Sequence, residues 1–141
     1  MKTSVVLVVS IVLVGILFCP MVMAAPSMPA DLQIVQPDPS LPKELSAFFG
    51  KWEGAPGQSQ IFLIVEKIDQ EKASLYIWRG GVWPEGTPTG WARYEAGVIK
   101  ERGKYKLWYR ANYGNVDYTL RGEHLSGSSP GGGSSLLNRV Q

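Results

Sequence analysis

The chain has 141 residues, of which 45% are hydrophobic and 11% aromatic, and its formal net charge at pH 7 is +2. This length suits one domain with a buried core, and the near balance of charge argues against a dedicated polyanion-binding protein. With Cys19 as its single cysteine, the chain forms no internal disulfide, so stability must come from the packed core.

The first 24 residues are typical of a secretory signal peptide. Lys2 supplies a positive start, residues 5–18 form an apolar run, and Val22 and Ala24 stand before the expected cleavage point. We expect cleavage after Ala24 and export to the periplasm or the extracellular space.

Two alternatives for this segment stay open. An uncleaved anchor helix needs about 20 apolar residues, and the run falls short of that before Pro20. A lipoprotein would be acylated at Cys19, but bulky Phe18 stands where such signals carry a small residue.

Residues 25–44 hold five of the ten prolines and are predicted to form an extended arm or linker. The short apolar run 32–35 is a candidate for docking on the following domain. A helical turn is expected over residues 42–48, with Ser40 as its cap.

Residues 45–141 are predicted to form one β-domain, because all five tryptophans and all six tyrosines lie between residues 48 and 120, where short segments alternate apolar and polar residues. The predicted strands cover residues 48–53, 60–68, 73–79, 91–100, 104–110, 116–121, 124–126 and 135–140. Short turns join them, which favours an all-β fold: a small antiparallel meander β-barrel of about eight strands. A two-sheet sandwich is the alternative. Strand 60–68 is apolar on both faces and is expected to be covered on both, and Gly97 is expected at a bulge.

The β-domain opens with the segment 48–54, which contains Gly50 and Trp52 in a Gly-x-Trp pattern. With the later segments 64–68, 76–78 and 125–127, this resembles the lipocalin-like (calycin) barrels, and in particular a set of bacterial exported domains of that type. The resemblance covers about residues 45–141. It implies ligand binding inside a barrel or an accessory role, with Gly50 and Trp52 packing at the closed end, and it supplies no catalytic residues.

Ligand-binding candidates are aromatic. Five tyrosines are predicted to line a cavity or, alternatively, to fill an ordinary core with hydroxyls at its rim: Tyr76, Tyr94, Tyr105, Tyr109 and Tyr118. Trp83 lies in the glycine- and proline-rich loop 80–90 and has no strand partner. It is predicted to contact a ligand, and the alternatives are that it caps the barrel mouth or folds back as a plug.

A second candidate is Trp108, which lies among basic residues on neighbouring predicted strands. That cluster comprises Arg79, Arg93, Lys100, Lys104, Lys106 and Arg110. We expect this cluster to form a face of the barrel that is exposed to solvent. Export argues against nucleic acid as a partner of this cluster. If the cluster has a function, the alternative is a peripheral contact with anionic lipid or cell-wall polymer.

Catalysis has little support in the sequence. His124 is the one histidine, no nucleophile elbow is present, and no cluster of histidines or cysteines has metal-ligand spacing. We therefore expect no catalytic residue, metal or cofactor. The predicted function is non-enzymatic binding of a small apolar or amphipathic ligand in the cell envelope. The alternatives are a module that docks on a partner protein or glycan through exposed aromatics, and a small hydrolase.

Overall fold

The computed structural model describes residues 26–130 and 133–141, so the predicted signal peptide and Cys19 lie outside the described residues. The ordered elements are one short helix, α1 (Lys43–Ser46), followed by the strands β1 (Gly50–Gly54), β2 (Ser59–Ile68), β3 (Lys72–Gly81), β4 (Gly90–Glu101), β5 (Lys104–Ala111), β6 (Gly114–Arg121), β7 (His124–Ser128) and β8 (Ser134–Val140). Among the described residues, no helix has the length and apolar character needed to cross a bilayer.

The strands form an antiparallel meander in which each pairs with the next, and β8 returns to pair with β1 to close a barrel. The prediction of an all-β barrel is thus confirmed, and the sandwich alternative is wrong. Closure removes the exposed edges that an open sheet would present to other chains. The connections 55–58, 82–89 and 112–113, with the described residues 129–130 and 133 between β7 and β8, surround one end, which we call the mouth. The turns 69–71, 102–103 and 122–123 lie at the other end with α1, which we call the closed end.

The closed end is organised around the first strand. Trp52 is fully buried, and its indole Nε1 donates to the Phe48 carbonyl oxygen at 2.9 Å. The Arg139 guanidinium lies 4.1 Å from the centre of the Trp52 ring and donates to the carbonyl oxygens of Phe49 and Ala47 at 2.8 and 2.5 Å. These contacts tie α1 to β8 and close that end.

Above the closed end, the barrel interior is solid. Apolar side chains alternate inward along the strands, as the period of a strand requires. Those with no exposed surface are Leu63, Val65, Leu75, Ile77, Ala96, Leu107, Leu125 and Leu137. Space for a ligand inside the barrel therefore has to lie nearer the mouth.

The proline-rich arm docks on the outside of β2, as its apolar run suggested. The backbone N–H of Val35 donates to the Glu66 carbonyl oxygen at 2.8 Å, and the backbone N–H of Gln33 donates to Glu66 Oε1 at 3.0 Å. Ile64, on the outer face of β2, has no exposed surface although it lies outside the interior core. The expectation that β2 is covered on both faces is confirmed.

Two local predictions were wrong. The β4 register runs through Gly97 without a shift; the irregularity lies on β2 between Val65 and Lys67. Gly97 is required instead because a Cβ there would lie 2.5 Å from the Trp108 indole nitrogen. The other error concerns the helix: Ser40 does not cap α1, and its hydroxyl donates to the Asp38 carboxylate at 2.7 Å.

The bulge on β2 changes which side chains face inward. With the extra residue, Glu66 and Lys67 both face outward, and Ile68 joins the interior opposite Ala73. Strict alternation along β2 would place Ile68 with Ile64 on the outer face. The bulge thus fills the closed end with one more apolar side chain and leaves Glu66 under the arm.

Candidate ligand-binding site

A cavity of about 260 Å³ opens at the mouth of the barrel. Its walls include Ile61, Arg79, Trp83, Tyr113, Val116 and Tyr118, together with serines of β7, β8 and their connection. The cavity exists here because Gly127 and the serines replace large apolar side chains on the last two strands, while the deeper layers of the barrel are filled.

Arg79 is the charged residue of this cavity. It follows Ala73, Leu75 and Ile77 at every second position of β3, so the strand period turns it inward with them. Only 2% of its surface is exposed. The sequence had grouped Arg79 with a solvated basic face, and the structure corrects this assignment.

Three tyrosine hydroxyls accept hydrogen bonds from the Arg79 guanidinium. Nη2 donates to Tyr109 at 2.7 Å and to Tyr113 at 2.8 Å, and Nη1 donates to Tyr94 at 3.2 Å. The rings of Tyr94 and Tyr113 also lie within 5.5 and 5.7 Å of the guanidinium carbon, and that of Trp83 within 5.8 Å. The charge is therefore held among hydroxyl dipoles and aromatic faces.

The buried tyrosines stay neutral at physiological pH. Burial raises the pKa of Tyr118 to about 12, and burial likewise raises the pKa of Tyr109 well above its ordinary value. No described residue forms an ion pair with Arg79. Near pH 7 the cavity consequently carries the positive charge of one guanidinium, surrounded by uncharged groups.

Trp83 lies in the β3–β4 loop at the rim of the cavity. Its indole Nε1 donates to the Gly80 carbonyl oxygen at 2.8 Å, which folds the loop back over the mouth. The ring is half-buried and packs against the core. Trp83 thus offers one face to the Arg79 guanidinium and also lines the cavity.

The structure divides the other predicted aromatic residues by location. Tyr94 and Tyr109 lie inside the barrel with their ring centres 4.5 Å apart, and Tyr118 lines the cavity. Tyr105 lies toward the closed end, where the Lys100 ammonium is 4.9 Å from the centre of its ring.

Tyr76 and Trp108 lie on the outer wall, away from the cavity. Tyr76 donates to the Asp31 carboxylate of the arm at 3.1 Å and packs on Trp91. Trp108 is 39% exposed and covers Gly97. The structure does not bring these two residues to the cavity.

Sequence reasoning missed Arg79 and Tyr113 as site residues. Arg79 carried a signal, since it shares its strand phase with three apolar residues. That signal was weak because the opposite face of β3 also carries large hydrophobic side chains, those of Tyr76 and Trp78. Tyr113 lies in a two-residue turn, where the strand period does not predict whether a side chain faces into or out of the barrel.

Other chemistry is sparse in the part of the chain that the structure describes. His124 is exposed at the closed end, where its Nδ1 lies 2.8 Å from Asn138 Oδ1. No three His, Cys, Asp or Glu side chains of the described residues come together in a way that would hold a metal ion. No family model, curated protein or solved structure matches this chain.

Proposed function

We propose that this protein is an exported, non-enzymatic, lipocalin-like binding protein that holds a small amphipathic molecule at the barrel mouth. The observation that carries the proposal is the cavity itself, in which apolar walls and one buried charged group meet. Ligand sites in proteins commonly combine a mostly apolar lining with a few placed polar groups.

The size and chemistry of the cavity support the same reading. At about 260 Å³ it lies just below the range of about 300–1,000 Å³ that is usual for drug-sized ligands, which favours a small molecule. Arg79 and neutral tyrosines can orient a ligand and hold charge. The serine and tyrosine hydroxyls of the wall would need a general base to act as nucleophiles, and no described residue of the lining is a His, Asp, Glu or Lys, which favours binding over catalysis.

Binding of a neutral apolar dye tests the proposal. N-phenyl-1-naphthylamine fluoresces strongly in apolar surroundings, and we expect the wild-type protein to bind it at the mouth. Trp83→Ala should weaken this binding about tenfold or more, because a large aromatic wall of the cavity is lost.

Trp108→Ala is the matched control, since it removes the same side chain from the outer wall, and we expect its affinity to stay within about twofold of wild type. Equal affinities of the two variants, or no dye binding by the wild type, would contradict the proposal. Native mass spectrometry of the purified protein reports in the same preparation whether the first 24 residues have been removed.

A further inference from the structure

We infer that the head group bound by this cavity is a singly charged oxyanion, a carboxylate, for which Arg79 is the counter-charge. The inference rests on the proposed function and deepens it, because it assigns the chemical class of the ligand. Four features of the described residues lead to it.

The first feature is the hydrogen bonding of Arg79. A guanidinium has five N–H donors, and three of them are used by tyrosine hydroxyls. Nε–H and one N–H of Nη1 donate to no described residue. No fully buried side-chain nitrogen or oxygen of the described residues lacks a hydrogen-bond partner. Nε is therefore not sealed in the wall and opens on the cavity that Arg79 lines.

The second feature is the missing counter-charge. All twelve Asp and Glu residues of the chain lie in the described part, because residues 1–25 and 131–132 contain none. None of them pairs with Arg79 in the structure. Burying a charge without a partner is unfavourable, and aromatic faces and hydroxyls offset this only in part. An anionic ligand would supply the partner that the chain does not.

The third feature is a second donor beside the guanidinium. The Tyr113 oxygen accepts from Arg79 at 2.8 Å, which leaves its own O–H as a donor, and Tyr113 lines the cavity. A hydroxyl that accepts from a cation becomes a stronger donor, so Tyr113 is suited to an oxyanion. Tyr118 also lines the cavity and adds no charge near pH 7.

The fourth feature limits the charge of the ligand. Arg79 is the one charged residue among the described residues that line the cavity. A phosphate monoester would bring close to two negative charges at pH 7 and leave part of this charge unpaired, whereas a carboxylate brings one. Ile61, Val116 and Trp83 provide apolar surface for the rest of the molecule.

Calorimetry of the full-length protein with octanoate and with octanamide tests the inference. The two probes share one hydrocarbon chain and nearly one head-group shape, but only octanoate is charged. We expect octanoate to bind at least about tenfold more tightly at pH 7 and low salt. Equal affinity would overturn the carboxylate assignment while leaving the binding function in place. Binding of neither probe would overturn the assignment as well, and if the neutral dye also failed to bind, the proposed function would fall with it.

Variants then assign the preference to Arg79. Arg79→Gln should bind octanoate and octanamide with affinities within about twofold of each other. Arg79→Lys should keep part of the preference for octanoate. Arg110→Gln, on the exposed face of β5, is the matched control and should keep all of it. Circular dichroism and a thermal melt check that each variant is folded. If folded Arg79→Gln still prefers octanoate tenfold, Arg79 is not the counter-charge. Because the wild-type comparison needs no variant, a variant that fails to fold leaves that test intact.

Discussion

Two arginines lie against aromatic rings at opposite ends of this barrel, and their hydrogen-bond acceptors give them different roles. Arg139 donates to two backbone carbonyl oxygens and covers the buried Trp52 ring, so its partners belong to the fold. Arg79 is more deeply buried, yet it keeps N–H groups that no described residue accepts. An arginine thus has a structural role at the closed end, as Arg139, and is suited to binding a ligand at the mouth, as Arg79.

The structural role of Arg139 can be measured. We expect Arg139→Ala to lower the free energy of unfolding by about 1–3 kcal/mol, because it removes a cation–π contact and two charge-assisted hydrogen bonds. Urea denaturation measures the change. Arg121→Ala, an exposed arginine on β6, is the matched control and should change stability by less than about 0.5 kcal/mol. Equal losses in the two variants would contradict the role given to Arg139.

At the scale of elements, one buried carboxylate is at the centre of the contacts that hold the proline-rich arm to the barrel. Glu66 is 2% exposed and accepts from Arg93 Nε at 2.9 Å, from the Ser74 hydroxyl at 2.9 Å and from the Gln33 amide at 3.0 Å. Arg93 in turn reaches Asp31 of the arm at 3.1 Å. Proline removes amide donors from the arm, so side chains provide much of its attachment.

The charge of Glu66 makes this attachment dependent on pH. Burial acts to raise the pKa of Glu66, but the hydrogen bonds from Arg93, Gln33 and Ser74 outweigh it and hold the pKa below its ordinary value of 4.5. A lowered folded-state pKa contributes stability that is present above the unfolded pKa and is lost as pH falls through the folded one. We therefore expect the arm to stay docked at neutral pH and to loosen as the pH falls below 4.5 and through the lowered pKa of Glu66.

Glu66→Gln tests the attachment at neutral pH. It should lower the free energy of unfolding by about 1–3 kcal/mol and speed hydrogen exchange at the Val35 amide, since Arg93 loses its buried partner. Glu95→Gln is the control, because the Lys72–Glu95 pair at 2.9 Å is 58% and 70% exposed, and it should change stability by less than about 1 kcal/mol. Unchanged exchange at Val35 in Glu66→Gln would show that backbone contacts alone hold the arm.

At the scale of the whole molecule, the tyrosine-rich interior predicts sensitivity to alkali. Burial raises the pKa of Tyr118 from 10.0 to about 12. A raised folded-state pKa contributes stability that is fully present below the unfolded pKa and is lost as pH rises through the folded one. The stability that neutral Tyr118 contributes is therefore lost between about pH 10 and pH 12. The free energy of unfolding lost through Tyr118 reaches about 1.4 kcal/mol near pH 11.

Denaturation at about pH 9 and pH 11 measures this loss. The wild-type protein should lose more stability between the two values than Tyr118→Phe, which has no hydroxyl to ionise at that position. Tyr105→Phe controls for the removal of one tyrosine hydroxyl elsewhere in the barrel. If Tyr118→Phe loses as much stability as the wild type, ionisation of Tyr118 does not contribute to alkaline unfolding.

The sequence by itself determined the strands and their order, because both depend on local chemistry. Period-two alternation places strands, and glycine- and asparagine-rich turns join neighbours, so the predicted strand from 104 to 110 lies within one residue of β5 at each end. The docking of the arm on β2 was also predictable, since a strand that is apolar on both faces needs two covers.

The tertiary structure alone decided which side chains share the cavity. Closure of β8 on β1, the bulge at Glu66 and the fold of the 82–89 loop all depend on contacts between residues far apart in the chain. Where both faces of a strand are aromatic or apolar, as on β3, alternation does not say which face is inside. For this reason the aromatic residues stood out in the sequence, whereas Arg79 became a site residue only once the barrel had turned it inward.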